Sequence, residues 1–219
     1  SALTQIATIT VNAINDAPQR TAGTFTSPMS ITENSANTTA LSLGLTGLAY
    51  SPGPNESSQT LTYTITAIPS AISVFNGSTQ ILPNTTLTLA ALQGLTYKTV
   101  PNASGSANLE WSVLDDGGTA NGGLSSLSES LTITVNAVND APILTSANPV
   151  TISAIAEDYA SPLGTLVSDL VPDNSISDPD GNPVEAIYIS NIDTSNGTWQ
   201  YKRTTDSGWN TFAVTSLQA

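Results

Sequence analysis

Short runs in which apolar and polar residues alternate recur along the chain, separated by clusters of Gly, Pro, Asn and Asp. Alternation with period two sends one set of side chains to a buried face and the other to water, as in half-buried strands. Leu61, Tyr63 and Ile65 alternate with Thr60, Thr62, Thr64 and Thr66, giving a core face and a threonine face. The same reading predicts strands at 29–32, 40–43, 59–66, 72–75, 95–99, 108–114 and 127–137. Further strands are expected at 150–155, 163–170, 184–192, 197–203 and 209–214. The run 89–92 ahead of Gly94 predicts one helical turn. Many short strands punctuated by turn residues specify an all-β chain of sandwich type with next to no helix.

The pattern also repeats over a long period. The decapeptide ITVNAINDAP at 9–18 returns as ITVNAVNDAP at 133–142, with Ile14 replaced by Val138. The offset, 133 − 9 = 124 residues, is the size of a compact domain rather than of a solenoid repeat. Each copy alternates like a strand and then breaks into Asn-Asp-Ala-Pro, a stiff linker that carries a carboxylate. Residues 1–18 are therefore expected to be the last strand of a preceding module plus linker. Residues 19–142 are expected to form one complete module, and 143–219 a third module that is incomplete. A third copy of the phrase would close near residue 266 (142 + 124).

Composition narrows the chemistry. Seventeen acidic and four basic side chains give a net charge of −13, which disfavours nucleic acid and anionic membranes as partners. No stretch approaches the roughly 20 apolar residues of a membrane span, so membrane insertion is not expected. The chain has no Cys and no His, which removes zinc sites of the usual kind, His-based triads and thiol nucleophiles. No enzyme activity is expected. So many carboxylates repel one another unless counter-ions offset them, and calcium does this best where acids cluster.

At the seams the residues resemble cadherin-type repeats, in particular the cadherin-like modules of large bacterial surface adhesins. Asn136-Ala-Val-Asn139-Asp140-Ala141-Pro142 occupies the place of the family's Asp-x-Asn-Asp-Asn-Ala-Pro. Val113-Leu-Asp-Asp-Gly-Gly-Thr and the following final strand look like its Ala-x-Asp-x-Gly region. Thr32-Glu33-Asn34 and Ala156-Glu157-Asp158 look like its early Glu-Asn motif, and Asp178-Pro179-Asp180-Gly181-Asn182 like its Asp-x-Asp motif. The resemblance implies tandem Greek-key β-sandwiches of the cadherin/immunoglobulin-like kind, stiffened by Ca2+, in a secreted or cell-surface protein of bacterial type.

Calcium takes about six to eight hard oxygens. The expected ligands are Glu33, Asn136, Asn139, Asp140, Asp178 and Asp180 at the second seam, Asn15, Asp16 and Asp116 at the first, and Glu157 for a seam further on. Bringing five or so carboxylates together without metal is strongly repulsive. The first module carries Ser51-Pro-Gly-Pro-Asn-Glu56 where the third carries Asp178-Pro-Asp-Gly. The first seam is therefore expected to be the poorer in ligands, with Asp115 as a further contributor.

The expected function is a calcium-stiffened spacer serving cell or matrix adhesion, whose expected partners are neighbouring modules of the same chain and a surface glycan or protein. One alternative is a glycan-binding module using Trp199, Tyr201 and Trp209, although core packing is the plainer use of such aromatics. Another is a set of accessory modules of a secreted carbohydrate-active enzyme. Trp111, flanked by Leu109 and Val113, is expected in the core.

Overall fold

The computed structural model describes residue 5 and residues 7–144, 151–159, 163–171, 175–181 and 187–212. The chain packs as two units, Ser1–Asn139 and Asp140–Ala219. Its strands make it an all-β protein.

The first unit contains β1 (Gln19–Ala22), β2 (Met29–Thr32), β3 (Leu41–Ser42), β4 (Ala49–Ser51), β5 (Thr62–Ala67), β6 (Ile72–Asn76), β7 (Thr79–Ile81) and β8 (Thr86–Leu87). Helix α1 (Leu89–Gln93) then leads to β9 (Thr96–Thr99), β10 (Gly105–Leu114) and β11 (Ser126–Asn136). A five-stranded sheet runs β2-β11-β10-β5-β8 and a four-stranded sheet runs β3-β9-β6-β7, while β1 and β4 form a separate ribbon. The longest ladder joins β10 to β11 antiparallel from Gly105↔Val135 to Leu114↔Ser126. In contrast, β2 joins β11 in parallel from Ile133↔Met29 to Asn136↔Thr32.

Period-two alternation decides what is buried. Tyr63 and Ile65 of β5, Leu109, Trp111 and Val113 of β10, and Leu131, Ile133 and Val135 of β11 all point into one apolar cluster. Ile72 and Val74 of β6 and Tyr97 of β9 enter the same cluster from the four-stranded sheet. Trp111 lies at its centre, with Phe25 edge-on at 5.5 Å and its Nε1 donating to the Tyr50 hydroxyl at 3.2 Å. Burial raises the Tyr50 phenol above its ordinary pKa, outweighing the hydrogen bond from Trp111. Helix α1 forms where one helical turn was expected: the Thr88 hydroxyl accepts from Ala91 N at 3.2 Å, closing the first turn as an N-cap does.

The strands of the first unit lie within a few residues of their predicted bounds. Four more, β1, β4, β7 and β8, are two to four residues long, too short for alternation to register. The described residues before Gln19 form no strand, and Ile9 and Val11 are exposed.

In the second unit, β12 (Ile143–Leu144) pairs antiparallel with β13 (Ile176–Ser177). β12 starts 124 residues after the start of β1 (143 − 19), and its pairing parallels the β1–β4 ribbon with the partner strand offset by two residues, Ile143↔Ser177 against Gln19↔Ser51. A turn repeats as well. Ser35 N donates to Thr32 O at 3.2 Å and Tyr159 N to Ala156 O at 3.3 Å, with Asn34 at φ 61° and Asp158 at φ 63°.

The predicted strand 163–170 is corrected: Val167–Leu170 is a helical turn, α2. The turn is a single one, with Leu166 at its N-cap, and it buries no residue; Leu166, Val167 and Leu170 keep helical i, i+1, i+4 spacing rather than the alternation of a strand. Of the strands predicted at 197–203 and 209–214, the described residues keep the hairpin β14 (Gln200–Tyr201) and β15 (Asn210–Thr211). Residues 151–155 and 187–192 form no strand, while 150, 184–186 and 213–214 lie outside the described residues.

Ile65 is fully buried and Thr66, its neighbour in β5, faces water. Ile65→Ala is therefore expected to cost about 2–5 kcal/mol in urea unfolding followed by circular dichroism. Thr66→Ala is expected to cost under about 1 kcal/mol.

Candidate metal centre

The linker Asn15-Asp16 folds onto two loops of the first unit, residues 52–61 between β4 and β5 and residues 115–125 between β10 and β11. Asn15 Nδ2 donates to Asp115 Oδ1 at 2.9 Å and to Leu124 O at 2.6 Å. Its Oδ1 accepts from Gln59 Nε2 at 2.7 Å, and its backbone carbonyl accepts from Leu124 N at 2.9 Å. The next residue is fixed too, since Asp16 N donates to Glu56 Oε1 at 3.0 Å. Asp116 Oδ1 accepts from Thr60 N at 3.0 Å, and Asp115 Oδ1 from Gly117 N at 3.1 Å. Pro18, just beyond, is fully buried.

Glycine gives the linker its room. A Cβ on Gly117 would sit 1.8 Å from Asn15 Oδ1, and one on Gly123 would sit 2.9 Å from Asn15 Cβ. Gly53 has φ 140°, and a Cβ there would meet Glu56 Oε2 at 2.4 Å.

Three oxygens in this cluster are buried and have no hydrogen-bond partner: Glu56 Oε2, Gln59 Oε1 and Asp115 Oδ2. Asp115 is 4% exposed as a residue. A buried carboxylate oxygen left unmatched costs of order 1–3 kcal/mol or more, so such atoms mark a place for a donor or a cation. The described ion pairs, Arg20–Glu129 and Arg203–Asp206, involve none of these acids. Among the described residues no group of three or more His, Cys, Asp or Glu side chains could by itself hold a metal ion. The three unpartnered atoms are hard oxygens, and the acids around them do not form a carboxylate cage.

In the second unit Asp140 N donates to Asp180 Oδ2 at 2.5 Å, and Asp180 N to Asp178 Oδ1 at 2.9 Å. Asp140 stands 124 residues after Asp16, and Asp180 stands 124 after Glu56. In each unit, then, a carboxylate at the same repeat position accepts the backbone N–H of the linker aspartate.

The remaining predicted ligands are placed elsewhere. Glu33 is buried, and its Oε2 accepts from Val138 N at 3.2 Å. Asn136 Nδ2 donates to Ser30 Oγ at 2.9 Å and to Ile31 O at 3.2 Å. Both residues brace β2 against β11. Glu157 lies exposed in the turn 156–159, and Asn182 lies outside the described residues.

The aromatics of the second unit are not core. Trp199 is 44%, Tyr201 37% and Trp209 47% exposed. Tyr201 meets Phe212 edge-on at 5.2 Å, and Trp199 Nε1 donates to Asp193 O at 2.7 Å. Asp206 is held below the usual carboxylate range, first by the Arg203 N–H and then by the Arg203 side chain.

Gln59 was missed altogether, because a lone glutamine in a polar loop carries no motif. Glu56 was singled out only as the acid remaining where the third module carries Asp178-Pro-Asp-Gly, and sliding Asp180 back one repeat gives its place at the linker. No family model, curated protein or solved structure matches the chain.

Asn15→Ala is expected to destabilise the first unit by about 1–3 kcal/mol and to expose the Leu124 amide to hydrogen exchange. Gly117→Ala should displace the same side chain. The double variant is therefore expected to cost clearly less than the sum of the two singles.

Proposed function

We propose that this chain is a structural spacer of tandem Greek-key β-sandwich modules, stiffened by Ca2+ and working outside the cell in adhesion. The single observation that carries the reading is the trio of buried, unpartnered oxygens of Glu56, Gln59 and Asp115 around the docked Asn15-Asp16 linker. A hard dication satisfies such oxygens and offsets the repulsion among Asp16, Glu56, Asp115 and Asp116. The buried oxygens of Glu56, Gln59 and Asp115 would supply the protein ligands, and water the remainder. A bound ion would tie the linker to the module that follows it and so remove the hinge at its entry. In the second unit Asp140, Asp178 and Asp180 are the proposed counterparts. The linker repeat with its 124-residue period supports a serial array, and the excess of acid with no cysteine suits a calcium-rich exterior.

The test is thermal melting of the chain in EGTA and in calcium at about 1 mM, the range in which extracellular calcium modules bind. At one to ten times Kd the ion contributes about 0.4–1.4 kcal/mol, which raises the melting point of the first unit by roughly 1–6 °C. Asp115→Asn should remove most of that gain and, in EGTA, should melt no lower than the unaltered chain because one repelling charge is gone. A melting curve indifferent to calcium sinks the reading.

A second reading has its own observation. Trp199 and Tyr201 share one side of the β14–β15 hairpin and are both open to water, an arrangement on which a sugar ring could stack. Glycan-array binding abolished by Trp199→Ala and Tyr201→Ala would favour it. A blank array removes it.

A further inference from the structure

The pairing of the first unit's end strands has a mechanical consequence. The chain enters this unit through Pro18 and β1 and leaves it through β11, and β2 lies parallel to β11 along Ile133↔Met29, Thr134↔Ser30, Val135↔Ile31 and Asn136↔Thr32. Tension on the two chain ends draws β2 toward its N-terminal side and β11 toward its C-terminal side. The strands must then slide along each other, and the ladder bonds share the load instead of opening one at a time.

Side chains lengthen this ladder at both ends. Thr132 N donates to Ser27 Oγ at 3.2 Å, ahead of the first strand pair. Beyond the last pair, Glu33 N donates to Asn136 O at 2.9 Å and Val138 N to Glu33 Oε2 at 3.2 Å. Asn136 Nδ2 crosses back to Ser30 Oγ and Ile31 O. Ile31, Ile133 and Val135 anchor both strands in the core, so sliding also pulls apolar side chains out of their packing. The linker bonds of Asn15 and Asp16 and the β1–β4 ribbon, which is short and bulged between Arg20 and Ala22, lie ahead of this ladder and would be lost before it.

We infer that the parallel β2–β11 ladder, extended by Asn136 and Glu33, is a shear clamp that bears tension along the chain. The inference extends the spacer reading from stiffness to load. It makes Glu33 and Asn136 force-bearing residues rather than metal ligands.

The test is single-molecule force spectroscopy on the full chain held by its two ends. Rupture of the first unit is recognised by a length gain of about 400 Å, roughly 120 residues at ~3.5 Å each. Asn136→Ala removes two side-chain bonds and is expected to raise the rupture rate at fixed load about tenfold. Val138→Pro, which deletes the N–H that Glu33 accepts, should act in the same direction. Thr86→Pro in β8, at the opposite edge of the sheet, should leave the rate unchanged even where it lowers the melting point.

A change of pulling direction gives an independent check, because the chain has no native cysteine to interfere. Handles on Ser35→Cys and Val138→Cys load the two strands at the same end of the ladder, and the resistance seen along the chain should be lost. If both ladder variants are folded by circular dichroism and rupture at the unaltered rate, the clamp is wrong. Equal resistance in the two pulling directions overturns it as well. Melting with and without calcium is read on the unloaded chain, so failure of the clamp and failure of the metal reading are separable.

Discussion

Seventeen carboxylates and four cations cannot be matched as ion pairs, and the first unit holds its acids chiefly with N–H groups. Glu56 takes the N–H of Asp16, Asp116 that of Thr60, Asp115 that of Gly117 together with the Asn15 amide, and Glu33 that of Val138. Each bond is charge-assisted on the acceptor side and so stronger than a neutral one. Each also fixes a loop or linker whose backbone would otherwise be free. The arrangement accounts for why so acidic a chain can fold around an ordinary apolar core, and it leaves a few oxygens over. Those leftovers are where a cation has most to gain.

The linker belongs to the module that follows it. Asn15 and Asp16 are bound to loops of residues 52–61 and 115–125, and the same repeat position supplies the carboxylate for Asp140 in the second unit. The first module lacks the Asp-Pro-Asp-Gly turn, which made its seam look poor in ligands. The structure brings Glu56, Gln59, Asp115 and Asp116 around that linker instead. Local motif density and spatial density of oxygen are different quantities, because loops 60 residues apart in sequence meet at one end of the sheets.

Two predicted ligands, Glu33 and Asn136, make hydrogen bonds at the β2–β11 junction. Glu33 and Asn136 are of the right type for calcium, and the structure gives them to the junction of β2 and β11. A carboxylate near a strand end can cap a ladder as readily as it can hold an ion, and only the position of the Val138 N–H separates the two. Burial of Glu33 at 4% exposure then follows from the ladder itself.

Alternation, turn residues and the 124-residue repeat determined the all-β class, most strands of the first unit, the burial of Trp111 and the place of the linkers, because each depends on near neighbours along the chain. The same local reading failed at Val167–Leu170, where apolar residues spaced three and four apart were taken as a strand. It also passed over the two- and three-residue strands β4, β7 and β8, which exist only because longer partners pair with them. Tertiary structure alone decided that β2 runs parallel to β11, that Gln59 joins the linker, and that three oxygens stay buried without a donor. Those features arise from segments distant in sequence meeting across a packed core, and no local pattern encodes such a meeting.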